Sequence, residues 1–189
     1  AMSQPQPLNA LDFPLHGSRL IEASAGTGKT YTIAALYVRL VLAHGGAQAF
    51  AKPLLPPDIL VVTFTDAATR ELRDRIRARL VEAAQVFREQ AQPDPFLAGL
   101  RDSYAAADWA GCATRLDAAA QWMDESAIQT IHGWCQRMLH EHAFASGSLF
   151  DQEVQTRHSP LYRQVVRDYW RLHCYALDSA GVRWVREHW

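Results

Sequence analysis

Residues Leu20–Leu40 read LIEASAGTGKTYTIAALYVRL, and the reading of this stretch decides the fold. The short apolar run Arg19–Ser24 follows Gly17 and enters a glycine-containing loop, as a strand feeding a tight turn would. Beyond the loop, Ile33, Leu36, Tyr37, Leu40 and Val41 recur at helical spacing, and Gly45-Gly46 supplies a stop. The spacing therefore predicts strand, loop and helix. The loop itself, Ala23-Ser24-Ala25-Gly26-Thr27-Gly28-Lys29-Thr30, matches the phosphate-binding pattern GxxxxGK[ST], with alanine in place of the first glycine. Gly26 and Gly28 let successive main-chain N–H groups turn inward on phosphate oxygens, and the helix beginning near Lys29 adds its positive dipole end. Lys29 would reach the β and γ phosphates, and Thr30 would offer its hydroxyl to Mg²⁺. The competing reading is a plain glycine turn before an ordinary helix. A lysine at a helix start opposes the dipole by roughly 0.3–1 kcal/mol, which favours an anionic partner for Lys29.

Outward from the loop, KPLLPP is a proline-rich linker into Ile59–Phe64, a β-branched and aromatic run predicted as a parallel strand buried on both faces. Thr65 or Asp66 can cap the next helix, whose stripe is Ala68, Leu72, Ile76 and Leu80 and whose end is set near Glu89 by QAQPDP. Its arginines, Arg70, Arg73, Arg75, Arg77 and Arg79, read as a solvated face pairing with Glu71 and Asp74. Phe96–Trp122 is alanine-rich and helical, with turns expected near Asp102-Ser103 and Gly111. SAIQTI reads as a third short strand, HGWCQRMLHEHAF as a helix ending near Gly147, and LYRQVVRDYWRLHCYAL, after Ser159-Pro160, as one more amphipathic helix. Alternating strands and helices imply an α/β fold, a P-loop NTPase parallel sheet of the RecA-like kind, incomplete here and carrying helical insertions.

Composition narrows the class. The chain has 189 residues, 49% of them hydrophobic, which suits a globular domain, and a net charge of −1, which gives no global basic field for nucleic acid. Cys112, Cys135 and Cys174 are odd in number and widely spaced, against a disulfide framework or a zinc site, and suit a reducing cytosol. His140 and His142 fall on different helix faces and read as surface residues. SQPQPLNALDFPLHG has neither a basic region nor an apolar run of the secretory kind, and no stretch approaches the roughly 18 apolar residues of a membrane helix. SAGVRWVREHW stops at Trp189 in helix-like sequence without a stop signal, so a piece of a longer protein is expected. Core packing is the expectation for most of Trp109, Trp122, Trp170, Trp184 and Trp189.

With the loop, VVTFTDAATRELRDRI (Val61–Ile76) and TIHGWCQRML (Thr130–Leu139) stand in an order and at spacings that resemble the UvrD-type superfamily 1 helicases. LIEASAGTGKTYTIAALYVRL and LFDQEV look closest to the helicase-nuclease beta subunits of bacterial exodeoxyribonuclease V within that family. The resemblance implies ATP and Mg²⁺ as cofactors and single-stranded DNA as the track. It implies Thr63, Phe64, Thr65, Thr130 and His132 as DNA contacts, RecC and RecD subunits as partners, and a cytoplasmic, nucleoid-associated setting.

It divides the chain into a lead-in (1–16), the first part of motor domain 1A (17–95), a helical insertion (96–125), a continuation of the motor (126–150) and the start of a 1B-like helical insertion (151–189). It also marks what is missing. The family's hydrolytic Asp-Glu pair has no counterpart in Asp124-Glu125, which follows an alanine-rich helix, so no catalytic residue is assigned and the chain alone is expected to turn nothing over. Gln4 and Gln6 lie too far upstream to match the adenine-reading glutamine. A different P-loop NTPase, such as a small-molecule kinase, and a non-catalytic assembly module stay open as alternatives.

Overall fold

The computed structural model describes residues 8–24, 26–143, 159–175 and 177–188. These fall into two compact units, 1–141 and 142–189. In the first, helix α1 (Lys29–Leu42) follows the glycine loop, strand β1 (Val61–Thr63) leads into the long helix α2 (Asp66–Phe87), and α3 (Pro95–Asp102) and α4 (Trp109–Gln121) come next. Strand β2 (Ile128–Thr130) then feeds α5 (Ile131–Glu141). The two strands pair in parallel, Val61 opposite Ile128 and Thr63 opposite Thr130. A parallel pair needs a long crossover, and α2 to α4 supply it.

The two-stranded ladder corrects the first strand expectation. Arg19–Ser24 forms no strand, and Leu20 is 82% exposed. A strand exists only through its neighbours' hydrogen bonds, and among the described residues β1 and β2 bond to each other. The predicted strand at Ile59–Phe64 is present but shortened to three residues and covered on one side only, since Val62 is 46% exposed. The third strand and the parallel arrangement agree with the sequence reading.

α2 begins where expected. Thr65 is extended, at φ −133°, and its side chain accepts from the Ala68 N–H at 3.2 Å, while Asp66 places negative charge in the first turn. Its buried stripe is Thr69, Leu72, Ile76 and Leu80, with Ala68 outside it. α2 packs on α1 and α4, and α1 on α4. The core joins Val38 and Val41 of α1, Ile76 and Leu80 of α2, Leu97 and Leu100 of α3, Leu116 of α4, then Met123 and Ile128. Each such side chain contributes roughly 1.5–3 kcal/mol by leaving water. Gly111, expected at a turn, lies inside α4, because the alanines around it carry the helix and nothing crowds its α carbon.

The arginine face also needs correcting. Arg75 does pair with Glu71 at 3.2 Å, four residues apart. Arg73, however, donates to the Ile128 carbonyl, Arg77 pairs with Asp124, and Arg79 is only 7% exposed. Position 79 lies three residues beyond Ile76 and next to Leu80, on the buried stripe, and its charge is met by Glu82 and Asp94.

α1 stops at Leu42, short of the double glycine, because Ala43 turns left-handed at φ 50°. Gly45 then passes against the buried Arg39: a β carbon there would sit 2.4 Å from Nη2. Arg39 donates to the carbonyls of Ala10 and Phe13 at 2.7 Å each and so straps the lead-in to α1.

In the second unit α6 (Ser159–Tyr169) runs into a π turn at Trp170–Cys174, and α7 (Ser179–His188) follows. The single helix expected after Pro160 is thus interrupted, with the Tyr175 N–H bonding five residues back to Trp170. Trp122, Trp170 and Trp184 are 44–57% exposed, against the expectation of core positions, and Trp109 is half-buried. Ala25, Trp189, LFDQEV and the predicted helix end near Gly147 lie outside the described residues.

Candidate functional site

At its described residues, the loop between Ala23 and Thr30 has the backbone that its glycines predict. Gly26 and Gly28 adopt φ 77° and 85°, and an added β carbon at either would meet nothing within 4 Å, so left-handed torsion and not space is what demands glycine. Thr27 donates its hydroxyl to the Ser24 carbonyl at 2.8 Å, closing the turn. α1 then starts at Lys29 with Gly28 as its N-cap, no side-chain cap and no acid in its first turn. Helix-start N–H groups left without such a partner make an anion site.

Lys29 curls back over the loop, its Nζ donating to the carbonyls of Ala23 at 3.1 Å and Ser24 at 2.7 Å. Thr30 is half-buried beside it. The donor set is main-chain amides, one ammonium and one hydroxyl, which fits a nucleotide polyphosphate with its magnesium ion. Among the described residues no group of three or more His, Cys, Asp or Glu side chains could hold a metal ion by itself.

A second constellation gathers at the carboxyl ends of the strands. Thr63 and Thr130 are opposite one another in the parallel register, so two segments more than sixty positions apart in sequence lie side by side. Their hydroxyls are already engaged: Thr63 Oγ1 lies 2.5 Å from Thr69 Oγ1, Thr65 caps α2, and Thr130 Oγ1 accepts from the Gly133 N–H at 3.1 Å at the start of α5. Phe64 projects from this end, 87% exposed, and His132 is exposed in the first turn of α5. A large bare aromatic between the starts of two helices offers a stacking face beside two dipole ends.

Residues 3–180 match the UvrD/REP helicase N-terminal domain. The chain belongs to the UvrD/REP helicase N-terminal domain family. Within that setting it is similar to the RecBCD enzyme subunit RecB of Escherichia coli, 47% identical over 97% of this chain and 15% of that protein. It is also similar to RecB of Haemophilus influenzae, 42% identical over 97% of this chain and 16% of the relative. RecB of Mycobacterium tuberculosis is 33% identical over 79% of the chain and 13% of its own length. The chain thus spans about a seventh of the RecB proteins it matches.

Membership of the UvrD/REP family implies a P-loop NTPase-like fold, and the small parallel sheet agrees with an incomplete one. Asp124, the acid set aside on sequence grounds, lies in a 3₁₀ turn before β2 and is paired to Arg77. One polar cluster beside the loop escaped the sequence reading. Tyr31 donates its hydroxyl to Asp94 Oδ2 at 2.8 Å, and Arg79 reaches both the Tyr31 hydroxyl, at 3.0 Å, and Asp94, at 2.6 Å. Sixty-three positions separate Tyr31 from Asp94, and no local pattern links them.

Proposed function

We propose that this chain is the N-terminal, ATP-binding segment of the motor of a RecBCD-type helicase-nuclease subunit, acting in DNA break repair by recombination. The observation that carries this is the uncapped start of α1, with Gly28 left-handed and the Lys29 ammonium held on the loop carbonyls. In this reading the main-chain amides of residues 23–30, the Ala25 amide included, cradle the phosphates, Lys29 neutralises them and Thr30 shares the magnesium ion with them. Magnesium, when bound, would neutralise charge on the phosphate oxygens.

The matching segment of the RecA-like motor would place Thr63, Phe64, Thr65, Thr130 and His132 along a single-stranded DNA track. Phe64 would stack on a base, worth roughly 1–3 kcal/mol, and the first-turn amides of α2 and α5 would face phosphate. The threonine hydroxyls, being engaged as caps and in the Thr63–Thr69 pair, act chiefly by presenting those amides. RecC- and RecD-type subunits are the partners this reading implies, in the bacterial cytoplasm at the nucleoid. The organisation of the chain into motor segments and helical insertions belongs to the same reading. With no hydrolytic Asp-Glu pair assigned, this reading has the chain bind nucleotide without hydrolysing it.

The test is a titration with a fluorescent ATP analogue and Mg²⁺, with phosphate release followed in the same samples. Lys29→Ala should weaken binding by more than about tenfold, the loss of a charge-assisted contact, with no phosphate released by either protein. Equal affinity in the two proteins would remove the nucleotide reading.

A further inference from the structure

The start of α1 is poorly secured by its own backbone. Its N-cap is a left-handed glycine, its first turn has no acid, and Lys29 puts positive charge at the positive end of the dipole. The residues before it, Arg19–Ser24, sit in no sheet ladder that could pin the loop from the other side. Full burial of the helix begins only at Ala34 and Ala35, and Lys29, Tyr31 and Ile33 are exposed. An end of this kind frays unless a tertiary contact holds it.

Tyr31 makes that contact. Its hydroxyl donates to Asp94, the N-cap of α3, which also accepts from the Leu97 N–H at 2.8 Å. Arg79 of α2 completes the triangle, donating to the Tyr31 hydroxyl and to Asp94, with its guanidinium carbon 4.8 Å from the Tyr31 ring centre and 5.3 Å from that of Phe96. Glu82 holds the other side of the guanidinium at 2.8 Å. Burial pushes the Asp94 carboxyl up, but the Leu97 amide, Tyr31 and Arg79 outweigh it and leave the carboxyl below its ordinary range. The acceptor of the Tyr31 proton is therefore charged at neutral pH. Arg79 is 7% exposed and is held by Glu82 of its own helix and by Asp94 and Phe96 at the start of α3, so it is a post on which the first turn of α1 is hung.

We propose that Tyr31, Asp94 and Arg79 form a positioning clamp for the phosphate-binding loop, holding the first turn of α1 formed before ligand arrives so that its free amides are already aimed. The clamp rests on the nucleotide-binding reading above. Its consequence is quantitative: affinity is reduced by the fraction of molecules whose first turn is frayed.

Tyr31→Phe keeps the ring and leaves the Arg79–Asp94–Glu82 pairs intact, removing only the hydroxyl tie to α1. Two readouts are taken on the 189-residue chain: amide exchange without ligand at Thr32 and Ile33, whose bonds close the first turn, and titration with a fluorescent ATP analogue and Mg²⁺. The Thr32 N–H bonds to the Gly28 carbonyl at 2.9 Å. Exchange at both amides should quicken by about fivefold and affinity should fall by up to the same factor, with Val38 and Val41 still protected and the melting temperature close to wild type.

Unchanged exchange overturns the clamp, and so does faster exchange with unchanged affinity, since the turn would then be held for no purpose of the loop. Weaker binding with unchanged exchange overturns it as well, assigning the hydroxyl to direct ligand contact. Lys29→Ala, run beside it, separates the two levels. If Lys29→Ala weakens binding and Tyr31→Phe changes neither readout, the clamp alone falls. If Lys29→Ala binds as wild type does, the nucleotide reading falls and the clamp with it.

Discussion

His44 shows how one residue's ionisation is decided by neighbours far along the chain. Arg39 Nε donates to its Nδ1 at 3.2 Å, which requires a neutral ring with its proton on Nε2, and that proton points at Ser103 Oγ, 2.9 Å away. Burial lowers the imidazole pKa from its ordinary 6.5, Arg39 lowers it further, and Asp12 opposes both. Tyr104 packs against the ring at 5.8 Å between centres. The folded state therefore refuses a proton that the unfolded chain accepts below pH 6.5. Stability from this contact is full above that value and is lost as pH falls from it toward the depressed folded value. Urea unfolding across about pH 5 to 7 should show stability rising with pH, and more steeply in the wild type than in His44→Gln. Equal slopes would mean that the Arg39–His44 bond does not hold in solution. Nothing around His44 in sequence announces this. Arg39, three positions before the end of α1, is by residue type an ordinary last-turn cation, and Ser103 lies fifty-nine positions from His44.

At the scale of elements, α2 was legible because local and tertiary signals coincide. Thr65 is a cap by residue type, Asp66 suits the dipole, and Leu72, Ile76 and Leu80 keep helical period to the buried side. Thr65→Ala should cost about 1 kcal/mol in urea unfolding, the usual loss for an N-cap hydroxyl, whereas Thr65→Ser should restore most of it. An undiminished stability in the alanine variant would show that the 3.2 Å bond to Ala68 carries no weight. Arg19–Ser24 is the opposite case. Its residue types suit a strand, but its hydrogen bonds have to come from a neighbour, and among the described residues no ladder reaches it. Arg79 was misread for a related reason. Charge argues for solvent, and only the arrival of Asp94 from the α3 start and Tyr31 from α1 makes a buried guanidinium tolerable.

Across the first unit as a whole, α2 packs on α1, α3, α4 and both strands, and α4 lies against both α1 and α2. Leu116 at the centre of α4 is fully buried. Leu116→Ala should destabilise this unit by about 2–5 kcal/mol, and exchange protection in α1 and α2 should fall together with that in α4. Protection lost in α4 alone would mean that the alanine-rich helix is an appendage to the motor, as the sequence reading had it, and not part of its core.

By itself the sequence determined what depends on neighbours within a turn or two: the glycine torsions and lysine of the phosphate loop, the capped start of α2, the β-branched runs of β1 and β2, and the order of motifs that places the chain among UvrD/REP helicases. Tertiary structure decided the parallel register that sets Thr63 beside Thr130, the limitation of the sheet among the described residues to two strands, the burial of Arg39 and Arg79, and the tie from Tyr31 to Asp94. The division follows from range. Torsional preference and capping act along the chain and are written in consecutive residues, whereas ladder pairing and the neutralisation of buried charge need partners that only the folded chain brings within hydrogen-bond distance.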